Sequence, residues 1–147
     1  MTDGIKLATS DDPPVILSVS RSALISHSRV FADMFAIGHS SKDDEEPISV
    51  SATEKELKVF VSIMEGEAEK TENALDAFSE EQWENLAALG DKYDCFSVRK
   101  VIESKVWQIS AEGGSAAFAF NLAVLTDNTK LAKHAAKRAV LIGDLHG

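Results

Sequence analysis

The residues most able to do chemistry in this sequence are a run of acids, four histidines, one cysteine and a pair of glycines. The acidic run, Asp43 to Glu46, is a candidate site for a metal ion or a basic partner. Calcium loops place their carboxylates at alternate positions and need a glycine for the turn. This run has neither feature, so we interpret it as a polar loop. Gly113-Gly114 precedes a predicted helix, where an anion could bind, but paired glycines more often simply break a helix.

The histidines and the cysteine form no recognisable catalytic or metal-binding pattern. The histidines are His27, His39, His134 and His146. None belongs to an HExxH motif or stands at metal-ligand spacing from Cys95. Cys95 comes just before a predicted helix, whose dipole could lower the pKa of the thiol. The neighbouring Phe96 favours a buried structural thiol instead.

Motifs for phosphate binding and nucleophilic catalysis are also missing from the sequence. It contains no GxxxxGK[ST] or GxGxxG loop and no GxSxG turn. We therefore predict no catalytic, cofactor-binding or metal site, and a protein that is not an enzyme. A small enzyme with an unrecognised site is the alternative from a different class. A cleft holding a perturbed carboxylate beside His27 or His134 would support that alternative.

Length and charge indicate one soluble domain that does not bind nucleic acid. The chain has 147 residues, a mass of 15.9 kDa and a formal net charge of −9. Up to Cys95 it carries 8 Lys and Arg against 20 Asp and Glu, and the remainder carries 7 against 4. An acidic body repels a phosphate backbone. No apolar run approaches the roughly 18 to 20 residues that span a bilayer, and no secretory signal peptide is apparent, so we expect no membrane association and a cytoplasmic or nuclear location.

Hydrophobic periodicity and capping residues predict an α+β domain with more helix than strand. Strands are predicted at residues 5–9, 15–19 and 48–50, the first two pairing with each other. About seven helices are expected, with starts set by capping residues or motifs. These starts are Ser20, Ser28, Thr53, Ser79, Ser97, Ser115 and Asp127-Asn128. Residues 66–77 are predicted to be an acidic connection without helix.

The segment Val19 to Phe35 resembles the BTB/POZ family. The family pattern is a strand, a helix with a central leucine, and then S-x-x-F-x-x-x-F. Leu24, Ser28, Phe31 and Phe35 stand at the matching positions. The acidic loop, the strand at residues 48–50 and the segment 86–98 also resemble the family, and elongin C-like and fungal members are nearest in pattern.

The resemblance implies a BTB/POZ-type fold, a small three-stranded sheet capped by helices, with extra C-terminal helices. Residues 1–110 would form the BTB/POZ-like core, and residues 111–147 a C-terminal helical extension packing on it. The implied function is a non-enzymatic protein–protein interaction domain, with homotypic or adaptor-type association. The alternative is a cullin-linked substrate adaptor of a ubiquitin ligase, similar to elongin C.

Implied partners are therefore proteins: a second copy of the chain, or a cullin and a substrate receptor, with no small-molecule substrate and no cofactor. Members that bind the third cullin often carry a hydrophobic-x-Glu triplet, which here falls at His39-Ser40-Ser41 and is absent. A strand-swapped dimer is not expected, because the chain starts just before its first strand. Our candidate interface residues are Leu24, Ile37, His39, Ser41 and Phe120.

Overall fold

A computed structural model describes residues 4–37, 46–126 and 128–142, except the side chains of residues 129 and 138–142. This part of the chain is an α+β fold with three strands and eight helices. The strands are β1 (Gly4–Ala8), β2 (Ile16–Ser20) and β3 (Ile48–Ser49). The helices are α1 (Arg21–His27), α2 (Arg29–Ala36), α3 (Glu54–Met64), α4 (Ala68–Leu75), α5 (Glu80–Lys92), α6 (Phe96–Glu112), α7 (Ala116–Leu125) and α8 (Thr129–Ile142). The predicted α+β class is confirmed.

The sheet is mixed, with β1 in the centre. β1 runs antiparallel to β2, with Ile5 opposite Val19 and Leu7 opposite Leu17. β3 runs parallel to β1 over two residues, with Leu7 opposite Ile48. Alternate side chains of a strand point to opposite faces, and Ile5, Leu7 and Val19, which share one face, are each 2% exposed or less. One face of the sheet therefore lies against the helices.

Two serines start the helices that follow β2, as the sequence predicts. Ser20 Oγ accepts a hydrogen bond from the N–H of Ala23 (3.3 Å) at the start of α1. Ser28 Oγ accepts one from the N–H of Phe31 (3.2 Å) at the start of α2. Ser28 also ends α1, because its N–H donates to the carbonyl of Leu24 (2.9 Å). One residue thus sets the boundary between two helices.

Ser28 also ties this helix pair to the turn between α5 and α6. Its hydroxyl donates to the carbonyl of Tyr93 (2.6 Å), and its backbone forms an antiparallel bridge with Cys95. The N–H of Arg29 donates to the carbonyl of Asp94 (3.2 Å). Ser28 is only 1% exposed, so water does not compete for these bonds. Segments far apart in sequence are therefore joined at one buried side chain.

Replacing Ser28 with alanine should lower the free energy of unfolding by about 2 kcal/mol, because it removes a helix cap and a buried donor together. Urea denaturation measures the change. Ser26→Ala is the control, since Ser26 is exposed on α1, and it should shift stability by less than about 0.5 kcal/mol. Equal effects of the two substitutions would contradict the role assigned to Ser28.

The segment before α5 is helical, which corrects the prediction of an acidic connection at residues 66–77. α4 occupies Ala68–Leu75 within it. Thr71 is buried on α4, and its hydroxyl lies 2.7 Å from the hydroxyl of Ser62 on α3. α4 thus packs against α3 through a buried polar contact, which hydrophobic periodicity does not register. The helix starts predicted at Thr53 and Ser79 are both confirmed, and each is a capping box.

The last two helices pack on the preceding ones. Local capping interactions set where these helices begin and where α6 ends. Gly113 ends α6 in the left-handed region (φ 73°), where glycine meets no Cβ penalty. Ser115 Oγ accepts the N–H of Phe118 (3.2 Å) at the start of α7. Asn128 Oδ1 accepts the N–H of Leu131 (3.0 Å) at the start of α8. α6 begins one residue before the predicted start, with Cys95 as its N-cap.

The hydrophobic core is one continuous cluster of buried side chains. It includes Leu7, Leu24, Phe31, Phe60, Leu86, Ile102, Leu122 and Leu131. The cluster crosses the predicted boundary between residues 110 and 111, because Leu122 and Leu131 contact the same core as the sheet. Among the described residues, no helix is both long and apolar enough to cross a bilayer.

Candidate protein-interaction surface

Leu24 is a core residue, which corrects its place among the candidate interface residues. Its side chain is 0% exposed at the centre of α1. The helix turns this position towards the sheet and α3, where it joins the main cluster. The leucine that carries part of the family resemblance is therefore unavailable to a partner in the folded chain.

The other candidate residues differ in accessibility. Ile37, at the end of α2, is 85% exposed. Phe120 is partly buried and packs against the core from α7. His39 and Ser41 lie outside the described residues, as do Asp43, Asp44 and Glu45 of the acidic run. Of the five candidates, Ile37 is the one that the structure places at the surface as a large exposed hydrophobic side chain.

Of the titratable residues considered for chemistry, His27 is partly buried and Cys95 is fully buried. His27 Nδ1 hydrogen-bonds with the hydroxyl of Ser97, which joins α1 to α6. Cys95 is 0% exposed. Burial raises the pKa of its thiol, and this outweighs the opposing effect of the N–H groups of Val98 and Ser97. The thiol therefore stays protonated at neutral pH, and the prediction that Cys95 is buried is confirmed.

α6 carries two exposed aromatic residues that are not among the candidate interface residues predicted from the sequence. Phe96 is 65% exposed and Trp107 is 52% exposed. Together with Lys100 and Glu103 they recur at the spacing i, i+4, i+7 and i+11, which places them on one side of a helix. We call these four residues the outer face of α6. This spacing can be seen in the sequence. Because α6 also carries apolar residues on its other sides, the pattern alone does not single out the outer face.

Contacts on the outer face of α6 hold its aromatic rings in place without covering them. Lys100 Nζ lies 5.1 Å from the centre of the Phe96 ring and 3.7 Å from a Glu103 carboxylate oxygen. The Trp107 ring lies against the ring of His134 on α8, with centroids 4.6 Å apart. Rigid, half-exposed aromatic rings are the side chains most enriched at the centres of protein interfaces. This face is suited to contact another protein.

A second surface feature is a groove between α3, α4, α5 and α6, with a volume of about 470 Å³. Its large apolar lining residues are Ile63, Leu75, Trp83 and Val101, one from each of these helices. The volume falls within the range of about 300–1,000 Å³ typical of binding pockets. The groove is large enough to receive one or two side chains from another molecule.

The edge of this groove is acidic. Glu67, Glu72 and Asp76 line it from the α4 side, and all three are exposed. Lys105 lines it from α6, with its Nζ 4.9 Å from the centre of the Trp83 ring. We call this feature the acidic groove. No motif marked it in the sequence, because its lining comes from four separate helices.

No protein-family model matches the sequence, and no curated protein gives a significant match. Within the described residues, no group of three or more His, Cys, Asp or Glu side chains is arranged to hold a metal ion. The surface features of the chain itself therefore carry the functional argument.

Proposed function

We propose that this chain is a non-enzymatic protein–protein interaction domain of the BTB/POZ type, which associates with a second copy of itself or acts as an adaptor. The observation that carries the proposal is the outer face of α6. Two large aromatic side chains stand half or more exposed there, 11 positions apart on one helix. Exposed aromatic rings at regular helical spacing are unfavourable in water for a domain on its own. They become favourable when a partner protein buries them.

The arrangement of the segment that carries the resemblance supports the BTB/POZ type. A strand leads directly into two short helices, with Leu24 and Phe31 in the core and Ser28 between them. The sheet has the three strands that the resemblance implies, and helices pack on it.

The cullin-linked adaptor is the second candidate, and the acidic groove favours it. An elongin C-like adaptor should bind a short amphipathic helix from a substrate receptor. A groove with an apolar lining and one polar edge suits such a helix, because the apolar side of the helix enters and its polar side stays in water.

Solution mass tests the proposal. Light scattering after size exclusion, over a tenfold concentration range, should show the mass rising from 15.9 kDa to twice that value or more. A chain that stays at 15.9 kDa should instead capture a purified cullin or a receptor-helix peptide. A monomer that binds neither would contradict the proposal.

A double substitution and a control substitution test whether the outer face of α6 carries the association. Phe96→Ala with Trp107→Ala should weaken the association by tenfold or more, because large aromatic anchors dominate interface energies. Ile16→Ala, which shortens a 47% exposed side chain on β2, is the matched control and should leave the association unchanged.

A further inference from the structure

Opposite charges are concentrated on two different surfaces of this chain. Residues 65–81, which include α4, carry seven acidic residues and one lysine. Residues 115–142, which include α7 and α8, carry four basic residues and one acidic residue. The first segment forms the edge of the acidic groove. The second segment lies beside Trp107.

The basic surface on α8 lies next to an exposed aromatic side chain of α6. Lys130, Lys133 and Lys137 are exposed on α8 and fall on one side of the helix by their spacing. His134 lies within the same arc, and its ring contacts Trp107. We call Trp107, His134 and these three lysines the basic face. It offers an apolar anchor beside the row of lysines on α8, and the acidic groove offers an apolar cleft edged by negative charge.

The basic face cannot reach the acidic groove of its own chain. Both features use α6, but Gln108 lines the groove whereas the adjacent Trp107 belongs to the basic face. Successive residues of an α-helix point about 100° apart. The two surfaces therefore face different directions from one helix, and they can meet only between two molecules.

We propose that a second copy of this chain docks head to tail, with Trp107 of the basic face entering the acidic groove of its neighbour. The inference rests on the proposed function in its self-associating form and names the surfaces involved. Opposite charges steer the two surfaces together, and the buried aromatic ring supplies most of the affinity. The contact joins two different patches, so it is heterologous and leaves one groove and one basic face open in a dimer.

Two variants, each with one surface disabled, test the arrangement. The groove variant carries Glu72→Lys and Asp76→Lys, and the face variant carries Trp107→Ala and Lys133→Ala. All four positions are exposed or half-exposed, so both variants should keep the far-ultraviolet circular dichroism and melting temperature of the parent chain. Each variant alone should stay near 15.9 kDa by light scattering at concentrations where the parent chain associates.

An equimolar mixture of the two variants should form a species near twice 15.9 kDa. The face variant retains an intact groove and the groove variant retains an intact basic face, so one productive contact remains. The mixture should stop at the dimer, because the other two surfaces are disabled. Raising the salt concentration from 50 to 500 mM should weaken this dimer about tenfold or more, since screening shortens the reach of the charges.

The control variant carries Asp33→Lys and Glu46→Lys, which makes the same charge change at exposed positions away from the groove. It should associate like the parent chain. Three results would overturn the inference: a parent chain that stays monomeric, a single-surface variant that still associates, or a mixture that stays monomeric while the parent chain associates. Capture of a cullin or receptor helix by a monomeric parent chain would overturn this inference and leave the proposed function standing.

Discussion

Replacing Phe31 with alanine should lower the free energy of unfolding by about 4 kcal/mol. The Phe31 side chain is 0% exposed, and its ring stacks on that of Tyr93 with centroids 4.8 Å apart. The substitution removes a large buried surface and leaves a cavity between α2 and the α5–α6 turn. Domains of this size are stable by only about 5–15 kcal/mol, so the loss is a large fraction of the total. Guanidinium denaturation followed by circular dichroism measures it.

Phe96→Ala is the matched control for this prediction, because it removes the same atoms from a side chain that is 65% exposed. It should change the free energy of unfolding by less than about 0.5 kcal/mol. Comparable losses from the two substitutions would mean that the core and the outer face of α6 have been assigned wrongly. The comparison thus tests the feature that carries the proposed function.

Replacing Gly90 with valine should lower the free energy of unfolding by about 3 kcal/mol, through overpacking. A Cβ atom at Gly90 would lie 2.8 Å from Val98 Cγ1, and Val98 is completely buried. Glycine inside a helix ordinarily costs about 1 kcal/mol relative to alanine, so an added side chain would otherwise stabilise α5. Here α5 and α6 approach so closely that the added side chain should destabilise the protein instead. Urea denaturation measures the effect.

A double-mutant cycle identifies the cause. Val98→Ala creates space beside residue 90, so the two substitutions together should cost at least about 1 kcal/mol less than the sum of their separate costs. Ala88→Val, at an exposed position of the same helix, should cost less than about 1 kcal/mol. Additive effects at residues 90 and 98 would show that the valine acts through something other than this contact.

The helix starts of this fold were predictable because capping is local chemistry. Ser20, Ser28, Thr53 and Ser115 each accept a backbone N–H three residues ahead. That bond depends on residues close in sequence, so the amino-acid sequence alone is enough to predict it. α4 escaped prediction because it is held by a contact between Thr71 and α3, which no local pattern records.

The surface was harder to predict than the elements. Leu24 and Trp107 are both large and apolar, yet one is buried and the other is half-exposed. Which apolar side chains remain outside depends on how many helices surround them, and that is a property of the packed fold. The acidic groove is the clearest case, since its lining comes from four helices.

α6 has a different role on each of three sides, and this limits which substitutions its sequence can accept. Val98, Ile102 and Val106 enter the core, Val101 and Lys105 line the groove, and Phe96 and Trp107 stand on the outer face. Most helices at a surface keep one side on which substitutions are nearly neutral. In a survey of all single substitutions, α6 should show tolerated changes scattered at isolated positions, without the continuous permissive stripe of an ordinary amphipathic helix.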